Sequence, residues 1–101
     1  MLIVTYRCSV PKSKAKAYLD LQKEVKKIYM KHGCLSYEVF EKSEKDEEWL
    51  EIGRFESKSH FRKVVARVDK DPRIPELYER FCSIIDAKKN PVVTKEFVRR
   101  I

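Results

Sequence analysis

The feature that most constrains this chain is the way its hydrophobic period switches along its length. Leu2, Val4, Tyr6, Cys8 and Val10 alternate strictly, which predicts a strand with one buried face. Pro11 ends that pattern. Tyr18, Leu21, Val25, Ile28 and Tyr29 then recur at helical spacing, with Ser13 as the expected N-cap. His32-Gly33 reads as the helix end, with Gly33 in the left-handed position and His32 near the negative end of the dipole. CLSYEVFEK and WLEIGRFE, residues 34–42 and 49–56, predict a hairpin around a polar turn at 43–48. A second apolar stripe, Phe61, Val64, Val65 and Val68, is interrupted by DKDPRIP. It resumes at Leu77, Phe81, Ile84 and Ile85, with Pro75 suited to a first helical turn. VVTKEFVRRI, residues 92–101, predicts a last strand.

The resulting order, β-α-β-β-α-β, predicts a ferredoxin-like α+β fold: helices on one face of an antiparallel sheet, in a single domain spanning residues 1–101. The other sheet face then needs explaining. Ile3, Thr5, Arg7 and Ser9 are expected there from the first strand, and Cys34, Ser36, Glu38 and Phe40 from the second. With Leu35, Tyr37, Val39, Leu50 and Ile52 turned towards the helices, Trp49, Glu51, Gly53 and Phe55 complete the open face. Large aromatics beside charges on a solvated face imply a covering partner. This assignment inverts if a strand slips by one residue.

Composition narrows the classes. Charged residues make up 39% and apolar ones 43%, which excludes a disordered chain. The net charge of +7 comes from Lys residues interleaved with Glu, which suits solubility better than a nucleic-acid stripe. Three cysteines, Cys8, Cys34 and Cys82, are an odd number without a C-x-x-C pair. They are expected to be reduced core residues, with no disulfide framework or metal site. No apolar run is long enough to span a membrane, and MLIVTYRC does not read as a signal peptide, so a cytoplasmic protein is expected.

Two stretches carry a family resemblance. Gly33-Cys34-Leu35-Ser36-Tyr37-Glu38-Val39 resembles the helix-to-strand signature of the antibiotic biosynthesis monooxygenase family. The passage from Glu51 to Phe61, with an aromatic at Phe55 and an apolar residue at Phe61, resembles the same family's next block. VPKSKAKAYLDL, HGCLSYEV and KDPR are also similar to a related uncharacterised family of that superfamily. The resemblance implies a homodimer in which two sheets pack through their open faces into an α/β barrel. It also implies a cavity between helices and sheet or at the sheet face. It further implies either a cofactor-independent oxygenase of phenolic or quinol substrates, a haem-degrading enzyme or a member without known activity. The chain departs from the family pattern at Phe55, where Trp is common, and at Val64, where His is common. The haem-degrading branch resembles this chain less. Thr5 and Arg7 stand where it needs Asn, and no His occurs around Leu77–Phe81.

The candidate chemistry follows from residue type. A cofactor-free oxygenase needs an apolar pocket, a base, and donors for the anion it creates. His60 and Glu51 are the candidate bases, and Thr5 and Arg7 the candidate anion holders. Glu38 is expected beside Glu51, and Phe40, Trp49 and Phe55 are expected to stack on a planar aromatic ligand. No cofactor or metal is expected. Each of these residues also has a plainer role. His60 flanks its helical stripe three residues after Ser57, where it would cover the helix end. Glu38 and Glu51 would pair with Arg7 or Arg54, and the aromatics would fill a dimer core. Two other functions remain open: a small-ligand-binding dimer without chemistry, and single-stranded RNA binding on the open sheet. The last is disfavoured because WLEIGRFE lacks the Gly-aromatic motif of RNA-recognition strands.

Overall fold

A computed structural model describes residues 1–44 and 46–101; Lys45, in the turn expected at 43–48, lies outside the described residues. The elements are β1 (Leu2–Ser9), a single 3-10 turn (Lys12–Lys14), α1 (Ala15–Lys31), β2 (Ser36–Glu41) and β3 (Glu48–Phe55). They are followed by α2 (Lys58–Asp69), α3 (Ile74–Ile84) and β4 (Val93–Val98). The four strands pair antiparallel in the order β2-β3-β1-β4, and the helices cover one face. This is the expected ferredoxin-like arrangement, with the second helix divided at the DKDPRIP segment.

The core grows from the predicted stripes. Leu2, Val4 and Cys8 of β1 meet Tyr18, Leu21 and Ile28 of α1, Val64 and Val68 of α2, and Leu77 and Ile84 of α3. The end of α1 follows from Gly33. Its φ of +107° is open to glycine at little cost. It lets Cys34 N–H bond Tyr29 O (3.0 Å) and Gly33 N–H bond Met30 O (3.3 Å), which closes the helix with a Schellman motif. His32 is the C-cap, as expected. The start of α1 differs from expectation. Ser13 sits inside the 3-10 turn, where Lys14 N–H already bonds Pro11 O (2.8 Å), and Lys14 becomes an N-cap without a side-chain bond.

The main correction concerns β3. The register Cys8↔Trp49, Tyr6↔Glu51, Val4↔Gly53 and Leu2↔Phe55 places Trp49, Glu51, Gly53 and Phe55 on the helix side. They are not on the open face. Trp49 is 3% exposed and Phe55 0%, because turning two large rings inward removes far more apolar area from water than turning in Leu50 and Ile52 would. Trp49 meets Tyr18 edge to face at 5.3 Å, and Phe55 meets Phe61 at 4.9 Å. Gly53 makes room for this: a Cβ there would lie 3.0 Å from the Phe55 ring. Glu51 is carried inward with them. It faces away from Glu38, so the two carboxylates are not neighbours.

The strands β1 and β2 keep their predicted faces. The open face therefore holds Ile3, Thr5 and Arg7, then Glu38 and Phe40, then Leu50, Ile52 and Arg54. The strand β4 adds Val93, Lys95 and Phe97. Arg54 Nε donates to Glu38 Oε1 at 3.2 Å. Just before β2 the pleat is reversed from expectation, with Cys34 buried and Leu35 exposed. Cys8 and Cys34 are core thiols, but Cys82 is exposed because the α3 stripe leaves that position outward.

Candidate functional site

A cavity of about 420 Å³ lies between the helices and the sheet. Its floor is β1 and β3, through Tyr6, Cys8 and Glu51, with Tyr37 of β2 beside them. Its walls are α1, through Leu21, Gln22, Val25 and Tyr29, and α3, through Leu77 and Phe81. The mouth is formed by Asp69 at the end of α2 and by the exposed Tyr78. A larger, shallower groove of about 800 Å³ runs along α1 and α3. It is lined by charged side chains of both signs, including the Arg73–Glu24 ion pair, and among the described residues no buried polar group lines it.

Glu51 is the chemical centre of the cavity. The residue is 3% exposed, and its Oε2 is buried without a hydrogen-bond partner among the described residues. Burial therefore disfavours the charged form and raises the carboxyl pKa from 4.5 to about 8. The surrounding phenols are pushed up too. Burial is the main cause for Tyr6, Tyr29 and Tyr37, and neighbouring groups add to it: Tyr29 beside Tyr6, and Asp69 beside Tyr29. Burial and the Glu51 charge raise the Cys8 thiol to about 12. Tyr37 donates its hydroxyl to Gln22 Oε1 at 2.9 Å, and its ring stacks on Tyr29 at 5.1 Å. The arrangement is a carboxyl group ready to exchange a proton, ringed by hydroxyls that stay protonated and can donate.

The other sequence-predicted residues fall elsewhere. His60 does not line the cavity. Its backbone N–H bonds Ser57 Oγ (3.1 Å), and its Nδ1 accepts from Glu56 N–H (3.0 Å). That is a reciprocal cap on the first turn of α2, with the ring edge-to-face on Phe55. Thr5, Arg7, Glu38 and Phe40 lie on the open face, with the sheet between them and Glu51. Thr5 and Arg7 thus cannot hold an anion formed at Glu51. Trp49 and Phe55 are core rather than cavity wall. Val64, at the position where the resemblance suggests His, is fully buried against the sheet.

Sequence reasoning missed Gln22, Tyr29 and Asp69 as site residues, and it took Tyr6 and Tyr37 for core residues only. Gln22 carried a usable signal, since it is a polar side chain within the apolar stripe Tyr18–Leu21–Val25. Asp69 carried none, because its role depends on where α2 stops.

No curated protein sequence matches the chain. Solved structures of the same fold do. Atu4242 from Agrobacterium tumefaciens superposes with a TM-score of 0.77 at 19% identity, covering 99% of this chain and 94% of that one. Rv0793 from Mycobacterium tuberculosis gives 0.74 at 15% identity, covering 99% and 95%. SnoaB from Streptomyces nogalater, a cofactor-independent oxygenase, gives 0.75 at 11% identity, covering 99% and 93%. The family model for antibiotic biosynthesis monooxygenases matches residues 1–67, from β1 through most of α2 and including Glu51. On that match the chain belongs to the antibiotic biosynthesis monooxygenase family.

Proposed function

We propose that the protein is a cofactor-independent oxygenase of a small phenolic or quinol substrate, which binds in the helix–sheet cavity with Glu51 as the base. The observation that carries this reading is the unpartnered, buried Oε2 of Glu51 in a cavity walled by aromatic and aliphatic side chains. With a pKa of about 8, roughly a tenth of the group is ionised at pH 7. That form is a stronger base than an ordinary carboxylate. It takes the hydroxyl proton of the substrate, and the neighbouring hydroxyls of Tyr6 and Tyr29 supply the donor for the phenolate, while Tyr37 stays bonded to Gln22. The electron-rich ring then reduces dioxygen and forms a C–O bond at an unsubstituted ortho or para carbon. Cleavage of the O–O bond releases water and leaves the quinone, so phenol and O2 give quinone and H2O.

A second copy of the chain covers the open sheet face in this reading. Phe40 and Phe97 are 45% and 51% exposed there, beside Ile3, Leu50 and Ile52. Such a row of side chains gains by being buried against itself.

Oxygen uptake over a panel of quinols tests the activity. Uptake with one or more quinols is expected, together with quinone absorbance and a loss of about a hundredfold in Glu51→Gln. A silent wild type contradicts the oxygenase. If phenols still bind in that case, the cavity is a ligand site without turnover.

A further inference from the structure

The charge inside the cavity is opposite to the charge of the chain. The protein carries 23 Lys and Arg against 16 Asp and Glu. Yet no Lys, Arg or His lines the cavity among the described residues, and two carboxyl groups do. Glu51 faces it from β3, 97% buried by its 3% exposure and with an unpartnered oxygen. Asp69 faces it from the last residue of α2, exposed and without an ion pair among the described residues.

The remaining polar groups cannot balance an anion. The titratable groups facing the cavity are Tyr6 and Cys8 from β1, Tyr37 from β2, Tyr29 from α1 and Tyr78 from α3, all acids. Gln22 is the neutral exception. An anionic ligand would lose its hydration here without meeting a cation. A cation finds the reverse. Five aromatic rings, those of Tyr6, Tyr29, Tyr37, Tyr78 and Phe81, line the same space. The face of an aromatic ring attracts an ammonium group, more so when both are partly desolvated. Asp69 is close enough to Tyr29 for its charge to help push that phenol up.

We propose that the ligand of this cavity is an aromatic molecule carrying a protonated amine and no anionic group, and that Asp69 at the mouth selects it by charge. The inference rests on the reading of this cavity as the substrate site. The ring enters towards Glu51 and stacks among the tyrosines, and the ammonium stays at the mouth between Asp69 and the rings of Tyr29 and Tyr78.

Two matched ligand series test it by calorimetry at pH 7. One is tyramine, 4-ethylphenol and 4-hydroxyphenylacetate, which share a phenol and differ in charge. The other is phenethylamine, ethylbenzene and phenylacetate, which lack the hydroxyl. Tyramine is expected to bind about tenfold or more tighter than 4-hydroxyphenylacetate. In Asp69→Asn the preference for tyramine over 4-ethylphenol is expected to fall to about twofold or less. Binding of 4-ethylphenol itself stays unchanged, which shows that the cavity is intact. Equal or tighter binding of 4-hydroxyphenylacetate overturns the proposal, and so does an Asp69→Asn variant that keeps the full preference. The outcomes also separate charge selection from the phenol reading. If phenethylamine outbinds phenylacetate while the hydroxyl adds nothing, charge selection stands and the phenol reading fails. If all three phenols bind alike and quinols turn over, the phenol reading stands and charge selection fails. No binding by any of the six overturns both.

Discussion

Two residues of similar promise in the sequence part company in the structure. Glu51 is buried, unpartnered and cavity-facing, whereas His60 is absorbed by the cap of α2. His60→Ala is therefore expected to leave oxygen uptake within about twofold of wild type and to cost about 1 kcal/mol of stability, the usual worth of a lost cap. Steady-state uptake and chemical unfolding measure the two effects. A drop in turnover comparable to that of Glu51→Gln would return His60 to the site. The chemistry of Glu51 was legible from its residue type, but its direction was not. In the stretch WLEIGRF both alternating sets are apolar, Trp49, Gly53 and Phe55 against Leu50 and Ile52. Period two alone does not choose between them. The choice is made by ring area and by the space at Gly53, and Glu51 follows its neighbours inward.

Among the elements, the connection from α2 to α3 shapes the cavity mouth, since Asp69 and Ile74 at its two ends both line it. Asp71 anchors that connection. Its Oδ2 accepts from His32 Nε2 at 2.9 Å, its Oδ1 accepts from Arg73 N–H at 3.0 Å, and Lys31 Nζ lies 3.9 Å away. The His32 hydrogen bond, then the Arg73 N–H, hold the Asp71 carboxyl below its usual range. A carboxyl depressed in the folded state contributes stability above its ordinary pKa of 3.8, and that contribution is lost as pH falls through the folded value. Asp71→Asn should accordingly melt at a lower temperature than wild type at pH 7, and the difference should shrink below about pH 4. Thermal melts across that range check this; a constant difference would mean that the charge of Asp71 contributes nothing. The order and kind of the elements were legible because each stripe keeps its own period. The first turn of α1 was not. Nothing in PKSK distinguishes a 3-10 turn from a Ser-capped start, and Ser13 offered the more familiar cap.

At the scale of the whole molecule, the open face and the buried carboxyl each have a consequence. If a second copy covers the open face, Ile52→Glu should shift a dimer towards monomer on a sizing column with light scattering. A wild-type monomer would contradict that assembly. Burying Glu51 makes folding depend on pH in the opposite sense to Asp71. The folded state holds the proton up to about pH 8, whereas the unfolded chain releases it near 4.5. The stability it contributes is complete below 4.5 and is lost as pH rises to about 8, at up to about 1.4 kcal/mol per pH unit. Glu51→Gln should flatten that slope in denaturant melts. The most direct test of the account is the titration of the Glu51 side-chain carboxyl itself, followed by carbon NMR in the intact protein. A midpoint near 8 is what a base held dry in the helix–sheet cavity requires. A midpoint near 4.5, the value of a solvated glutamate, would contradict the buried site and the oxygenase built on it.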